Sequence, residues 1–292
     1  MTKPIYSICI CNYNMANTLE ESLVSVLEQL NEKYEVIVVD DGSTDNSVKI
    51  LLDLRKIYKN LKVIPLERDQ RRKLGETRNV SVRAAIGEYV ILHIDTDDKW
   101  EPFIDSFTKV FHELEKRLEK KDFMLSGKQI HMATKKLVIE EPYPNLYYCE
   151  DRFFFNNLSV LGKLYIIDHH VFMRRMNLKT KQKIIKLITS QMAYIQATFV
   201  YSPNPFKTLN SYLFNIFVDR NMSLKKAAIV MFFLLPAFIS GSFLKRAKLL
   251  NTFDMKYKES LLINLIQIEL ETKDKYGLFE LNNQERKIYK LN

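Results

Sequence analysis

Cysteine is scarce in this chain: Cys9, Cys11 and Cys149 are the only three in 292 residues. That excludes a disulfide framework. Cys9 and Cys11 lie two apart in an apolar run, so they share a strand face without suiting a bridge. All three are expected as reduced thiols of a cytosolic compartment. No Cys/His spacing suggests zinc. The N-terminus, MTKPIYSICICNYN, runs straight into a strand pattern and shows no apolar signal segment followed by a small-residue cleavage site. Acids are nearly missing from residues 160–250, where Asp168 and Asp219 face fourteen Lys and Arg. That stretch carries +12 of a chain total of +9, which leaves the remainder at −3. A basic half with interleaved apolar runs points to an anionic partner such as lipid headgroups or a phosphate-bearing acceptor. No nucleic-acid-binding motif accompanies the charge, so nucleic acid is not expected as a partner.

Apolar residues make up 47% and aromatics 12%, enough for a packed core and far from a disordered composition. Residues 5–11 (Ile-Tyr-Ser-Ile-Cys-Ile-Cys) form an apolar run of strand length. Leu19, Leu23, Val26 and Leu27 then recur at helical spacing over 17–30, with Asn17 or Thr18 as the expected N-cap. A strand fits 34–39, a helix 45–58, a strand 61–66, a helix 75–86 and a buried strand 88–94. This alternation predicts βαβ units, an α/β fold and a largely parallel sheet. Ligands of such sheets bind beyond the carboxyl ends of the strands. Three polar clusters fall there: Asn12-Tyr13-Asn14, Asp40-Asp41-Gly42-Ser43 and Asp95-Thr96-Asp97-Asp98. One could be a helix cap; three at one sheet edge predict a site.

The segments SICICNYN (7–14), VIVVDDGSTD (36–45), GETRN (75–79), GEY (87–89) and IDTDD (94–98) resemble, in order and spacing, the family 2 glycosyltransferases of the GT-A fold. The resemblance covers about the first 155 residues. It departs at Cys11, where the family usually has Pro or Thr, and at Asn12, which replaces another small polar residue. It implies an inverting transferase that uses a nucleotide-diphosphate sugar, with UDP- or GDP-sugar as donor. Residues 1–155 would form the nucleotide-sugar-binding and catalytic core. Residues 156–292 would form an acceptor-side, basic, largely helical and membrane-associated region.

Departure of a nucleoside diphosphate leaves a dianion, and a divalent cation held by carboxylates neutralises it. Asp95 and Asp97 flank one residue at a strand end, so both can converge on Mn²⁺ or Mg²⁺. The resemblance makes Asp97 the direct metal ligand, places Asp95 nearer the ribose and counts Thr96 among the nucleotide-sugar-binding residues. It gives Tyr13 to the base face and Asp41 to a base N–H, with Asp40 and the Cys11 backbone in support. Arg78 would face the diphosphate. An acceptor hydroxyl needs a general base. Glu150-Asp151 follow an aromatic, proline-containing loop and resemble the family's Glu-Asp pair, with Asp151 as base and Glu150 its neighbour. The only Trp, Trp100, follows the acidic cluster, so the Gln-x-x-Arg-Trp motif of processive synthases is absent and a single addition is expected. His112 is expected on a helix surface, and His169 and His170 in structural roles.

In the C-terminal half, helices are expected over 178–200, 207–220 and 258–271. Residues 227–244 carry no charge, just enough to span the ~30 Å hydrocarbon layer. Pro236 and Gly241 interrupt the run, and both flanks are basic: Lys225 and Lys226 before, Lys245, Arg246 and Lys248 after. Such flanks favour a broken hairpin or paired interfacial helices, a peripheral or monotopic seat on the cytosolic face of a membrane. A polyprenyl phosphate or lipid-linked glycan is the expected acceptor. Two competing functions stay open. One is a nucleotidyltransferase on a related fold, although 12–17 lacks its basic glycine-rich loop. The other is a basic membrane- or nucleic-acid-binding protein without catalysis.

Overall fold

The computed structural model describes residues 3–147, 149–176, 189, 192–200, 202, 204–217, 224–243 and 262–291. At its centre β1 (Tyr6–Asn12) and β2 (Tyr34–Asp40) run parallel, from Tyr6 opposite Tyr34 to Asn12 opposite Asp40. Every residue of β2 is buried, as expected of a strand covered on both faces. The pleat divides its side chains: Val36 and Val38 join one core, Ile37 and Val39 the other. Helices α1 (Ala16–Leu27), α2 (Ser47–Ile57) and α4 (Ile104–Leu118) cover the first face. Helices α3 (Leu74–Ala84), α5 (Lys135–Glu140) and α6 (Glu150–Val160) cover the second.

Among the described residues the main sheet has eight strands, in the order β10-β8-β6-β7-β4-β1-β2-β3. Besides β1 and β2 it contains β3 (Leu61–Pro65), β4 (Tyr89–Leu92), β6 (Met124–Ser126), β7 (His131–Thr134), β8 (Leu164–Ile167) and β10 (Leu262–Ile263). Among the described residues, only the β4–β7 and β6–β7 pairings of this sheet are antiparallel, so the expected mostly parallel α/β sheet is present. The chain winds outward from β1 to β2 and β3, then returns to place β4 on the other side of β1. That switch point lies at the carboxyl ends of β1, β2 and β4, the edge at which sheets of this kind bind ligands. A separate antiparallel ribbon joins β5 (Asp98–Trp100) to β9 (Met173–Arg175).

Several local expectations need correction. The strand expected over 88–94 stops at Leu92, because His93 turns into the left-handed region at φ 64° and redirects the chain before Asp95. Asn17 and Thr18 lie inside α1, whose N-cap position is Met15. The open N–H groups there are met from a distance: Ala16 N donates to Asp45 Oδ2 (3.0 Å) and Met15 N to Ser47 Oγ (3.2 Å). His112 is half-buried rather than a surface residue, held by the Tyr6 hydroxyl at 2.9 Å and Glu115 at 2.6 Å.

Residue 155, the expected domain boundary, falls inside α6, and β8 and β10 extend the same sheet beyond it. Helices α9 (Leu265–Tyr276) and α10 (Asn283–Ile288) return to the first core, where Leu265, Phe279, Tyr289 and Leu291 are buried with Phe107 and Phe111. The buried Arg117 of α4 ties them down, donating to Glu113, to Thr272 Oγ1 (2.7 Å) and to the Gly277 carbonyl (3.1 Å).

Of the helix expected over 178–200, residues 178–188, 190 and 191 lie outside the described residues, and 189 and 192–200 are helical. They pack with α7 (Pro205–Phe217) and α8 (Leu224–Phe243) around Ile195, Phe199, Val230, Leu234 and Ala237. In place of a broken hairpin, α8 runs continuously through Pro236. Lys245, Arg246 and Lys248 lie outside the described residues. Among the described residues no helix is long and apolar enough to cross a membrane.

Candidate functional site

Three strand ends build the candidate site. After β1, Asn12 is buried and Tyr13 is 44% exposed. After β2, Asp40 is fully buried and acts as a structural acceptor. It takes bonds from Asn12 Nδ2 (2.7 Å), Ser43 N (2.8 Å) and Ser43 Oγ (2.7 Å), which locks the two strand ends together. Gly42 turns the chain at φ 75°, and a Cβ there would come within 2.7 Å of the Arg68 backbone. The Asp41 carboxylate grips two guanidinium groups, Arg68 and Arg72, with Arg72 Nε at 2.6 Å. Arg68 also lies 4.3 Å from the Tyr13 ring centroid, so Tyr13, Arg68 and Asp41 form one layered group. Cys11 is half-buried, and burial pushes its thiol up to about 12, so it is present as the neutral thiol.

After β4 come Asp95, Thr96, Asp97 and Asp98. The last three are buried, while the Asp95 side chain is 34% exposed. Carboxylate oxygens of Asp95, Asp97 and Asp98 all lie within 4.8 Å of one another. Hard oxygen donors converging at this spacing fit a divalent cation such as Mg²⁺ or Mn²⁺. The backbone fixes the turn: Ser22 Oγ donates to the Asp95 carbonyl (3.1 Å) and Met176 N to the Asp97 carbonyl (2.8 Å). Arg175, opposite Asp98 in the β5–β9 ribbon, reaches all three carboxylates.

The fourth wall comes from α3 and α6. Gly75 lets α3 start against the loop before α6: its N–H donates to the Leu146 carbonyl at 3.0 Å, and a Cβ would strike the Pro144 carbonyl oxygen. Glu150 and Asp151 occupy the first turn of α6, where the helix dipole favours acids. Arg78 on α3 donates through Nε to Glu150 Oε1 (3.0 Å), and its Nη2 lies 3.9 Å from Asp95 Oδ1. Arg78 is therefore an inward bridge between two acidic elements. Burial raises the Glu150 carboxyl above its ordinary pKa, and Arg78 opposes that rise. Asp151 is half-buried, and its Oδ1 accepts the Arg152 backbone N–H at 2.8 Å.

The structure thus brings Tyr13, Asp40, Asp41, Arg78, Asp95, Thr96, Asp97 and Glu150 to the carboxyl-end side of the sheet, with Asp151 on the same helix turn as Glu150. Sequence reasoning missed Arg68, Arg72, Arg175 and the part Asp98 plays. For Arg68 and Arg72 a signal existed: the basic run Arg68–Lys73 leads from β3 into α3, beside an acidic strand end. Arg175 is 77 positions from Asp98 and carries no local signal.

The sequence model of Glycosyl transferase family 2 matches residues 7–178, more than half of the chain. Among curated relatives, the putative teichuronic acid biosynthesis glycosyltransferase TuaG of Bacillus subtilis is 36% identical over 99 residues, 34% of this chain and 38% of TuaG. The poly(ribitol-phosphate) beta-glucosyltransferase of Bacillus spizizenii is 42% identical over 94 residues, 32% of this chain and 14% of that protein. These alignments span well under two thirds of either relative. Among solved structures, S. aureus TarS 1–349 in complex with UDP-GlcNAc superposes with a TM-score of 0.54 at 17% identity, covering 81% of each chain. The mannosyltransferase PcManGT from Pyrobaculum calidifontis, in complex with GDP-Man and Mn²⁺, gives 0.55 at 16% identity, covering 82% of this chain and 86% of that one. The strand order and the match over 7–178 agree: this chain belongs to glycosyl transferase family 2 and has the GT-A fold.

Proposed function

We propose that the chain moves one sugar from a nucleotide-diphosphate sugar to a hydroxyl or phosphate acceptor, with inversion at the anomeric carbon. The observation that carries this reading is the Asp95, Asp97 and Asp98 cluster beside the Arg78–Glu150 pair at the switch point, with Arg78 Nη2 3.9 Å from Asp95 Oδ1. Asp95 and Asp97 would hold Mn²⁺ or Mg²⁺, which neutralises the leaving diphosphate when bound. Tyr13, Asp41 and the Cys11 backbone receive the base, with Asp40 bracing them. Thr96 lines the ribose side, and Arg78 adds a fixed positive charge near the diphosphate. As the acceptor oxygen bonds to the anomeric carbon and the bond to the β-phosphate oxygen breaks, Asp151 takes the acceptor proton. Glu150 holds Arg78 and the start of α6 in place.

UDP- and GDP-sugars are the donor classes to test first, since the structural neighbours were solved with UDP-GlcNAc and GDP-Man. Two matched relatives are named for teichuronic acid and poly(ribitol-phosphate) chemistry, which supports an anionic or lipid-linked glycan acceptor. The helical region supports a seat on the cytosolic face of a membrane. Val230, Leu234 and Ala237 of α8 pack inward, while Phe232, Leu235 and Ile239 are 74%, 61% and 50% exposed on the other side. A helix apolar all round needs cover on both faces. The +12 of residues 160–250 favours an anionic surface as that cover.

The test is a panel of nucleotide sugars incubated with Mn²⁺ and followed by nucleotide release, with and without EDTA. Release from one donor, abolished by EDTA and restored by Mn²⁺, is the expected result. Release indifferent to EDTA, or none with any donor, would overturn the metal-dependent transferase.

A further inference from the structure

The carboxylates assigned to metal are already paired with a cation of the chain itself. Arg175 sits on β9 directly opposite Asp98 on β5. Its guanidinium holds Asp98 with two bonds, Nε to Oδ1 at 2.9 Å and Nη2 to Oδ2 at 3.2 Å. The same Nη2 donates to Asp95 Oδ2 at 3.2 Å, and Nε lies 3.8 Å from Asp97 Oδ2. One planar group therefore touches all three acids. Three carboxylates within 4.8 Å repel one another, and the two at Asp97 and Asp98 are removed from water, so a compensating charge is required. The contacts are unequal. The pair with buried Asp98 is two-pronged and fixed, whereas Asp95 is partly exposed and Asp97 is at the edge of ion-pair range.

We propose that Arg175 is a positioning residue for the metal site: an internal counter-cation anchored on Asp98 that competes with the divalent ion for Asp95 and Asp97. It keeps the acidic turn assembled before loading. It also keeps metal affinity low until a nucleotide diphosphate brings further negative charge, so that metal and donor load together. This inference rests on the metal-dependent reading above. A cation within about 4 Å of a divalent ion's ligands opposes its binding electrostatically, even in a partly hydrated site.

The test is Mn²⁺ binding to the full chain, measured by electron paramagnetic resonance of free Mn²⁺ with and without UDP or GDP. Arg175→Gln should bind Mn²⁺ about tenfold more tightly than wild type without nucleotide. The tightening that nucleotide gives to Mn²⁺ binding should shrink in the same variant. Arg175→Lys keeps the charge and should stay near wild type on both counts. If Arg175 only pins β9 to β5, Arg175→Gln will bind Mn²⁺ more weakly or unchanged, and the proposal is overturned. Thermal melting of both variants reports folding, and Arg175→Lys carries the comparison if Arg175→Gln unfolds: nucleotide coupling lost despite retained charge would also overturn it. Wild-type binding untouched by Asp97→Asn would instead remove the metal reading, and this inference with it.

Discussion

Replacing Arg78 by Met should expose how the site holds its buried charge. The Arg78 side chain is 12% exposed and the Glu150 side chain 4%, with Nε and Oε1 3.0 Å apart. Removing one member of such a pair strands the other, at a cost of about 3–5 kcal/mol. Protonation of Glu150 sets a ceiling on that loss. Holding a carboxyl of ordinary pKa near 4.3 neutral at pH 7 costs about 3.7 kcal/mol, at 1.36 kcal/mol per unit. The expected loss at pH 7 is therefore about 3 kcal/mol. The sign with pH follows. Burial already raises Glu150, and without Arg78 its folded pKa rises further above the unfolded value. The destabilisation then grows as pH rises past about 4.3 and should shrink to about 1 kcal/mol at pH 5. Denaturant unfolding of wild type, Arg78→Met and the double variant Arg78→Met/Glu150→Gln at pH 5 and pH 7 measures this. The double variant should recover most of the stability at pH 7 and none of the transfer activity. A loss equal at both pH values, or no recovery in the double variant, would refute the account of a stranded carboxylate.

Asp97→Asn should keep the fold and lose nearly all transfer, while Asp95→Asn loses less; equal activity of both with wild type in a nucleotide-release assay would remove them from the site. Asp151→Asn should lower turnover by roughly 10²–10⁴ with donor affinity near normal, as for a lost general base; collapse of donor binding in calorimetry would make Asp151 a donor-site residue instead. Burial lowers His131 to about 3 and His169 to about 4, so both are neutral when folded. Unfolded histidines take up protons below about pH 6.5, so stability should be level above that pH and fall towards pH 4; denaturant midpoints of His131→Asn that keep the full acid dependence would exclude His131 as a contributor. Flotation with anionic liposomes should be partly reversed by high salt, and Phe232, Leu235 and Ile239 to Ser should remove the salt-resistant part; a wild-type chain that never floats would sink the membrane seat.

The sequence by itself determined the parallel half of the sheet, β1 to β4, and marked its polar carboxyl end, whereas β6, β7 and β10 carried no readable strand pattern. Runs such as Val36–Val39 are apolar at every position, so they suit a strand covered on both faces, and turn-forming acids at their ends mark the edge where ligands bind. The Asp95–Asp98 turn and the Glu150-Asp151 helix start were legible for the same reason: each is a local pattern of a few neighbouring residues. The tertiary structure decided what those acids face. Asp41 is neutralised by Arg68 and Arg72 from the segment leading to α3, Arg78 turns inward to Glu150, and Arg175 arrives from a ribbon far along the chain. It also decided that α9 and α10 return to the first core, held there through Arg117. Alternation and capping are fixed by residues a few positions apart, which a sequence displays directly. Ion pairs and packing across the fold depend on which surfaces the folded backbone brings together, and single charged residues carry no mark of their partners.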